Sequence, residues 1–169
     1  MNDSAGVGFH SLRWIARSAE NTEAFGARLA AAQPSTDALA TVHLSGDLGS
    51  GKTTLARGFL RGVGINGPVR SPTYTLVEVY EAAALSVLHL DLYRLTDPSE
   101  LEPLGLREWA RRGCMWLIEW PDRARGRLPL PDLSVVMTAG ENVHQINVEA
   151  MSALGQSWLQ AVENRSGSP

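Results

Sequence analysis

The stretch Gly46-Asp47-Leu48-Gly49-Ser50-Gly51-Lys52-Thr53 satisfies every fixed position of the phosphate-binding pattern G-x-x-x-x-G-K-[ST]. The residue types follow from the chemistry. Glycines let successive backbone N–H groups point at phosphate oxygens where a Cβ would obstruct them. Lys52 brings a compact positive charge to the β- and γ-phosphates and is also the side chain that stabilises charge developing during phosphoryl transfer. Thr53 offers a hydroxyl to an accompanying Mg²⁺, and the helix that must begin here turns its positive dipole end to the same anion. On this reading Asp47, Gly49, Ser50, Gly51, Lys52, Thr53 and Thr54 are the nucleotide-binding residues. Lys52 is the only lysine in a chain whose other basic side chains are all arginine.

A phosphate loop alone hydrolyses nothing; it needs a carboxylate at the end of a neighbouring buried strand to anchor Mg²⁺ or position water. Glu119 meets that description, following the apolar run 114–118 and preceding the strand-breaking Trp120-Pro121. Asp91 interrupts a second apolar run, and alternation puts it on one face with His89 and Tyr93. Such a stripe either faces solvent or belongs to a site. Thr73, in Ser71-Pro72-Thr73-Tyr74-Thr75, sits where a switch-like loop would offer a hydroxyl to metal or phosphate; the alternative is a Pro-initiated turn feeding a strand. Sequences that read guanine through an Asn/Thr-Lys-x-Asp motif need a second lysine, so ATP is favoured over GTP.

These groups require elements to hold them. A buried strand over 40–45 and a helix carrying Leu55, Phe59 and Val63 at helical spacing give the strand-loop-helix context of the motif. Upstream, a strand over 11–16 precedes a helix capped by Ser18 and running to about residue 32, closed by a break over 34–37. Downstream, strands over 76–80 and 86–92 are joined too tightly for a parallel crossover, so they form an antiparallel hairpin. Asp97-Pro98-Ser99-Glu100 has capping-box form and starts a short helix, with another over 106–111. A buried strand over 115–120, a hairpin of 133–137 with 143–148, and a helix over 152–162 complete the chain. The expected fold is α/β: a single P-loop NTPase-like domain over 11–163, with a mixed sheet parallel at its centre, antiparallel hairpins and helices on both faces, between flexible ends at 1–10 and 164–169.

At 169 residues the chain can bury a core without staples. Its one cysteine, Cys114, lies in an apolar run and reads as a buried structural thiol. No leader-like opening and no apolar run of membrane-spanning length is present, so a cytoplasmic setting and no membrane contact are expected. A net charge of −3 gives no general field for nucleic acid. Four scattered histidines exclude a structural zinc pattern, and the absence of G-x-S-x-G excludes a serine-hydrolase elbow. Of the tryptophans, Trp120, beside Glu119, is the one placed to touch nucleotide or partner.

Taken together, the phosphate loop, Ser71-Pro72-Thr73-Tyr74-Thr75-Leu76-Val77, His89-Leu90-Asp91-Leu92-Tyr93-Arg94-Leu95 and Ile118-Glu119-Trp120-Pro121 resemble the TsaE family of small bacterial P-loop ATPases in order and spacing. The resemblance spans roughly residues 11 to 160. It implies a role in forming threonylcarbamoyladenosine in tRNAs that read codons starting with A, through ATP hydrolysis that supports turnover of a TsaB–TsaD complex, with tRNA met through that complex. It further implies that Lys52 and Thr53 belong to the Walker A site, Asp91 and Glu119 to the acids around Mg²⁺ and water, and Thr73 to a switch-like loop.

Two readings compete with the coupled ATPase. A small-molecule kinase would use the same loop but would need a lid and an acceptor pocket. A nucleotide-gated binding module would hydrolyse nothing usefully and would dock through the arginines at 123, 125 and 127, which otherwise read as a solvated turn. For an arginine finger, Arg70 and Arg94 are the candidates within the chain, and a partner is the alternative source.

Overall fold

Among the residues described by the structure, a computed structural model covering 10–34, 38–69, 71–83 and 85–165, seven strands and three α-helices follow one another. They are β1 (Ser11–Ala16), α1 (Ala19–Ala31), β2 (Ala40–Gly46), α2 (Lys52–Gly62), β3 (Val77–Glu81), β4 (Ser86–Asp91), β5 (Cys114–Glu119), β6 (Leu133–Ala139), β7 (His144–Ala150) and α3 (Ala153–Asn164). Of the ends expected to be flexible, residues 1–9 and 166–169 lie outside the described residues, as do the break at 35–37, Arg70 and Ala84; His10 is instead bonded to β7 through its carbonyl, and Asn164 closes α3.

All seven strands form one sheet in the order β1-β7-β6-β2-β5-β4-β3. β2 pairs parallel with β5 and β6, and β5 pairs parallel with β4. The outer pairs are antiparallel, and they include both hairpins expected from the short 81–85 and 138–142 links, which the structure narrows to 82–85 and 140–143. Parallel central strands end at one edge, which brings Gly46, Glu119 and Asp91 together: Leu44 is opposite Glu119, and Glu119 is opposite Asp91. Every residue of β4 and β5 is buried, as continuous apolar runs in a two-sided sheet require.

Helical elements cover both faces unequally. α1, α2 and α3 pack Phe25, Leu29, Leu55, Phe59, Trp158 and Val162 on the face that carries Val42, Leu44, Met115 and Leu117. The opposite face of β4 and β5 buries Leu88, Leu90, Trp116 and Ile118 under Leu101 and Leu106. Those two leucines sit on 3₁₀ turns, Pro98–Leu104 and Leu106–Trp109, where two short helices were expected. Pro103 removes a backbone donor inside the first turn, and Gly105 ends it at φ +63°. The capping box itself forms: Asp97 accepts from Ser99 N at 2.7 Å and Glu100 accepts from Asp97 N at 2.9 Å. These bonds hold both carboxyl groups below the usual carboxylate range. Cys114 is fully buried, as its apolar setting implies.

α1 lies against α2 closely enough to exclude side chains at the crossing. A Cβ on Gly58 would fall 2.0 Å from the Glu23 carbonyl oxygen, and one on Gly26 would fall 2.2 Å from that of Leu55. The helix that starts at Lys52 is therefore held against its neighbour by backbone contact, and Arg57 and Arg61 both reach Glu23 across the crossing. A Gly58→Ala change would ordinarily favour a helix, but here overpacking wins. It should destabilise the chain by about 1–3 kcal/mol, read as a lower denaturant midpoint at unchanged m-value.

Candidate nucleotide site

At the carboxyl edge of the central strands the phosphate loop opens onto a cleft of about 350 Å³. Gly49, Gly51, Lys52, Thr53 and Thr54 line one wall, and Thr73, Asp91 and Glu119 line the other. Of the residues read as nucleotide-binding, two stand elsewhere. Ser50 is fully buried beneath the loop, and Asp47 is exposed and contributes its carbonyl inward. The loop bends through left-handed glycines, Gly49 at φ +81° and Gly51 at φ +97°. α2 begins directly after Gly51.

Lys52 is buried and turned back on its own loop. Its ammonium donates to the Gly46 carbonyl at 2.8 Å, to the Asp47 carbonyl at 2.7 Å and to Ser50 Oγ at 3.3 Å, which uses all three protons. The Trp120 ring closes the fourth side, 4.1 Å from Nζ to its centroid. Burial pushes the ammonium below the usual lysine range, against the pull of the charges on Glu119, Asp91 and Asp47. Trp120 gains this position through a left-handed backbone, φ +58°, which costs a non-glycine residue about 1–2 kcal/mol. Its ring packs on Tyr93, with centroids 5.0 Å apart.

Glu119 is 2% exposed. Thr53 Oγ1 lies 3.0 Å from each of its carboxylate oxygens, and His89 Nε2 lies 2.7 Å from Oε1. Asp91 is also buried; of the polar stripe His89-Asp91-Tyr93, Asp91 and the partly exposed Tyr93 line the cleft, while His89 is fully buried against Glu119. Asp91 Oδ2 accepts from Thr73 Oγ1 at 2.7 Å and from Ser71 Oγ at 3.1 Å, while Oδ1 accepts from Tyr93 N at 3.1 Å. Arg94 stacks on exposed Tyr74, 4.3 Å from the ring centroid, beside the same loop.

Among the described residues no three His, Cys, Asp or Glu side chains converge as a metal cage. The donor set nevertheless suits Mg²⁺, which takes one or two protein oxygens and completes its shell with phosphate and water. Thr53 and Glu119 are adjacent for that purpose.

Sequence reasoning passed over His89 and Ser71. The signal for His89 was its alternation with Asp91 inside an apolar run, and that for Ser71 was its i, i+2 spacing from Thr73. The arginine turn is tied down locally, Arg125 to Asp122 and Arg127 to Glu102.

The Asp91 carboxylate is thus the anchor of the 71–75 loop. An Asp91→Ala change should cost about 1–3 kcal/mol and raise amide hydrogen exchange at 73–76 well above that of β4, as measured by mass spectrometry.

A family model described as "Threonylcarbamoyl adenosine biosynthesis protein TsaE" matches residues 16–148. A Haemophilus influenzae protein named tRNA threonylcarbamoyladenosine biosynthesis protein TsaE is 46% identical over 123 residues, 73% of this chain and 78% of that one. Its namesake from Bacillus subtilis is 37% identical over 141 residues, 83% of this chain and 86% of that one. The crystal structure of Bacillus subtilis YdiB superposes with a TM-score of 0.76 at 28% identity, covering 94% of this chain and 98% of that one. With a phosphate loop, two strand-end acids and a tethered hydroxyl loop set in one α/β domain, and with these matches along most of its length, the chain belongs to the TsaE family.

Proposed function

We propose that this chain binds ATP with Mg²⁺ and hydrolyses it, slowly by itself, to support formation of N6-threonylcarbamoyladenosine in tRNAs reading codons that start with A. It does so in the cytoplasm, through residues 11–163, by acting on a TsaB–TsaD complex that in turn holds the tRNA. The family names carry the pathway, and one observation carries the chemistry: Thr53, the hydroxyl residue of the phosphate loop, reaches the buried carboxylate Glu119 from the adjacent strand. No helix of the described residues is long and apolar enough to cross a membrane.

The loop amides and Lys52 bind the phosphates and stabilise the charge that develops on the transferred group. For Lys52 this means exchanging contacts with its own loop carbonyls for phosphate oxygens. Thr53, Glu119 and Asp91 would hold Mg²⁺, which would supply electrostatic neutralisation of the phosphate oxygens. Glu119 orients the attacking water and takes its proton, Asp91 holds Thr73 and Ser71 at the cleft mouth, and Trp120 with Tyr93 screens the loop from bulk water. No arginine within the described cleft is free of an aromatic stack to act as a finger, since Arg94 covers Tyr74. That geometry supports the reading of slow turnover alone, with a partner completing the site.

The test is phosphate release by the chain alone and with TsaB, TsaD and tRNA. Lys52→Ala should lower the rate about 10²–10³-fold. Glu119→Gln should lower it about 10²–10⁴-fold while still binding ATP. Equal rounds of tRNA modification by wild type and Glu119→Gln would remove Glu119 from the mechanism. Phosphate appearing on a small-molecule acceptor would favour a kinase instead.

A further inference from the structure

Glu119 has a partner that the phosphate loop does not supply. His89 is 0% exposed, its Nε2 lies 2.7 Å from Glu119 Oε1, and its Nδ1 is buried without a hydrogen-bond partner. Strand register sets the pair. His89 stands opposite Leu117 and Asp91 opposite Glu119, so imidazole and carboxylate are diagonal neighbours on one face of β4 and β5.

The proton between them can be placed. Thr53 gives its one hydroxyl proton to the carboxylate, both of whose oxygens lie 3.0 Å from Oγ1. Glu119 therefore accepts, and the imidazole carries its proton on Nε2. The bare position falls at Nδ1, where an N–H would be a buried donor with nothing to meet it.

Burying a polar pair costs free energy that a leucine at position 89 would not incur, so the pair needs a reason other than packing. One is visible in what the cleft lacks. None of the ion pairs among the described residues joins Lys52 to Glu119, although both line the same cleft. Without His89 the carboxylate would be held by the Thr53 hydroxyl alone, within electrostatic reach of the Lys52 ammonium.

We propose that His89 is the positioning residue of this site: its Nε2–H fixes Glu119 Oε1, keeps the carboxylate turned to the Thr53 hydroxyl rather than to the Lys52 ammonium, and leaves Oε2 free to face the cleft. His89 acts through Glu119 alone. This rests on the ATPase reading above.

The test compares His89→Gln, whose amide can place a donor near the Nε2 position, with His89→Asn and His89→Leu, which cannot. The three are measured for thermal midpoint, for affinity of a non-hydrolysable ATP analogue with and without Mg²⁺, and for kcat and KM. Asn and Leu should lower kcat about 10–100-fold and weaken the Mg²⁺-dependent part of analogue affinity by a similar factor. Metal-free affinity should stay within about threefold, KM for the Mg²⁺ complex should rise in step with the lost Mg²⁺-dependent affinity, and Gln should recover most of both losses. Combined with Glu119→Gln, His89→Asn should cost less than about twofold more, because its target is already gone. Wild-type kcat in the Asn variant, a Gln variant as impaired as Asn at equal thermal midpoint, or full additivity with Glu119→Gln would each overturn the assignment. A wild-type chain that binds no ATP analogue would overturn it together with the ATPase reading, whereas a hydrolysing wild type matched by its variants would overturn the positioning role alone.

Discussion

One ammonium and two carboxylates share a cleft here without pairing with one another. Lys52 is satisfied by loop carbonyls and Ser50, Glu119 by His89 and Thr53, and Asp91 by Ser71, Thr73 and a backbone N–H. Buried opposite charges a few ångströms apart attract strongly in a low-dielectric setting, so an open site exists only if each charge has nearer neutral partners. The sheet provides for this. Because β5 lies between β2 and β4 and runs parallel to both, the two acids emerge side by side at the edge where the loop begins. A one-residue slip of either strand would turn its acid to the opposite face.

Rigid support under the loop follows from the same requirement. α2 cannot shift away from the sheet without leaving α1, since the two backbones meet at Gly26 and Gly58. Above the loop, two non-glycine residues adopt left-handed backbones, Leu76 at φ +63° and Trp120 at φ +58°. Each stands at the end of a segment that faces the cleft, Leu76 after the 71–75 loop and Trp120 after Glu119. Such conformations persist only where surroundings over-determine them. Leu76 N bonds Pro72 O at 2.7 Å, and Trp120 N bonds Leu44 O at 3.1 Å.

The legible parts of the molecule were those whose chemistry is local. The glycines and Lys52 of the phosphate loop announce themselves because backbone approach to phosphate leaves few alternatives, and Glu119 was visible as a carboxylate between an apolar run and a proline. Short links fixed both hairpins. The turns over 98–109 read as α-helical because the capping box is common to both helix types; Pro103 and Gly105 decided for 3₁₀. Alternation placed Asp91 correctly on one face but could not say whether that face met solvent, which depends on α2 and the loop covering it. His89 was set aside for a related reason. A lone histidine in a strand has no local partner, and its significance appears only when β5 is laid beside β4.

Having a single lysine gives the chain an unusual chemical property. Apart from the chain's terminal amine, the only primary amine is the Nζ that caps the phosphate loop. There it is buried, with each proton engaged and an indole across its open side. Acylating reagents, which need a free amine lone pair, meet arginines everywhere else and find their one side-chain target shielded. The reactivity of that side-chain amine is therefore a direct report on whether the loop is closed on itself, undiluted by any other lysine in the chain.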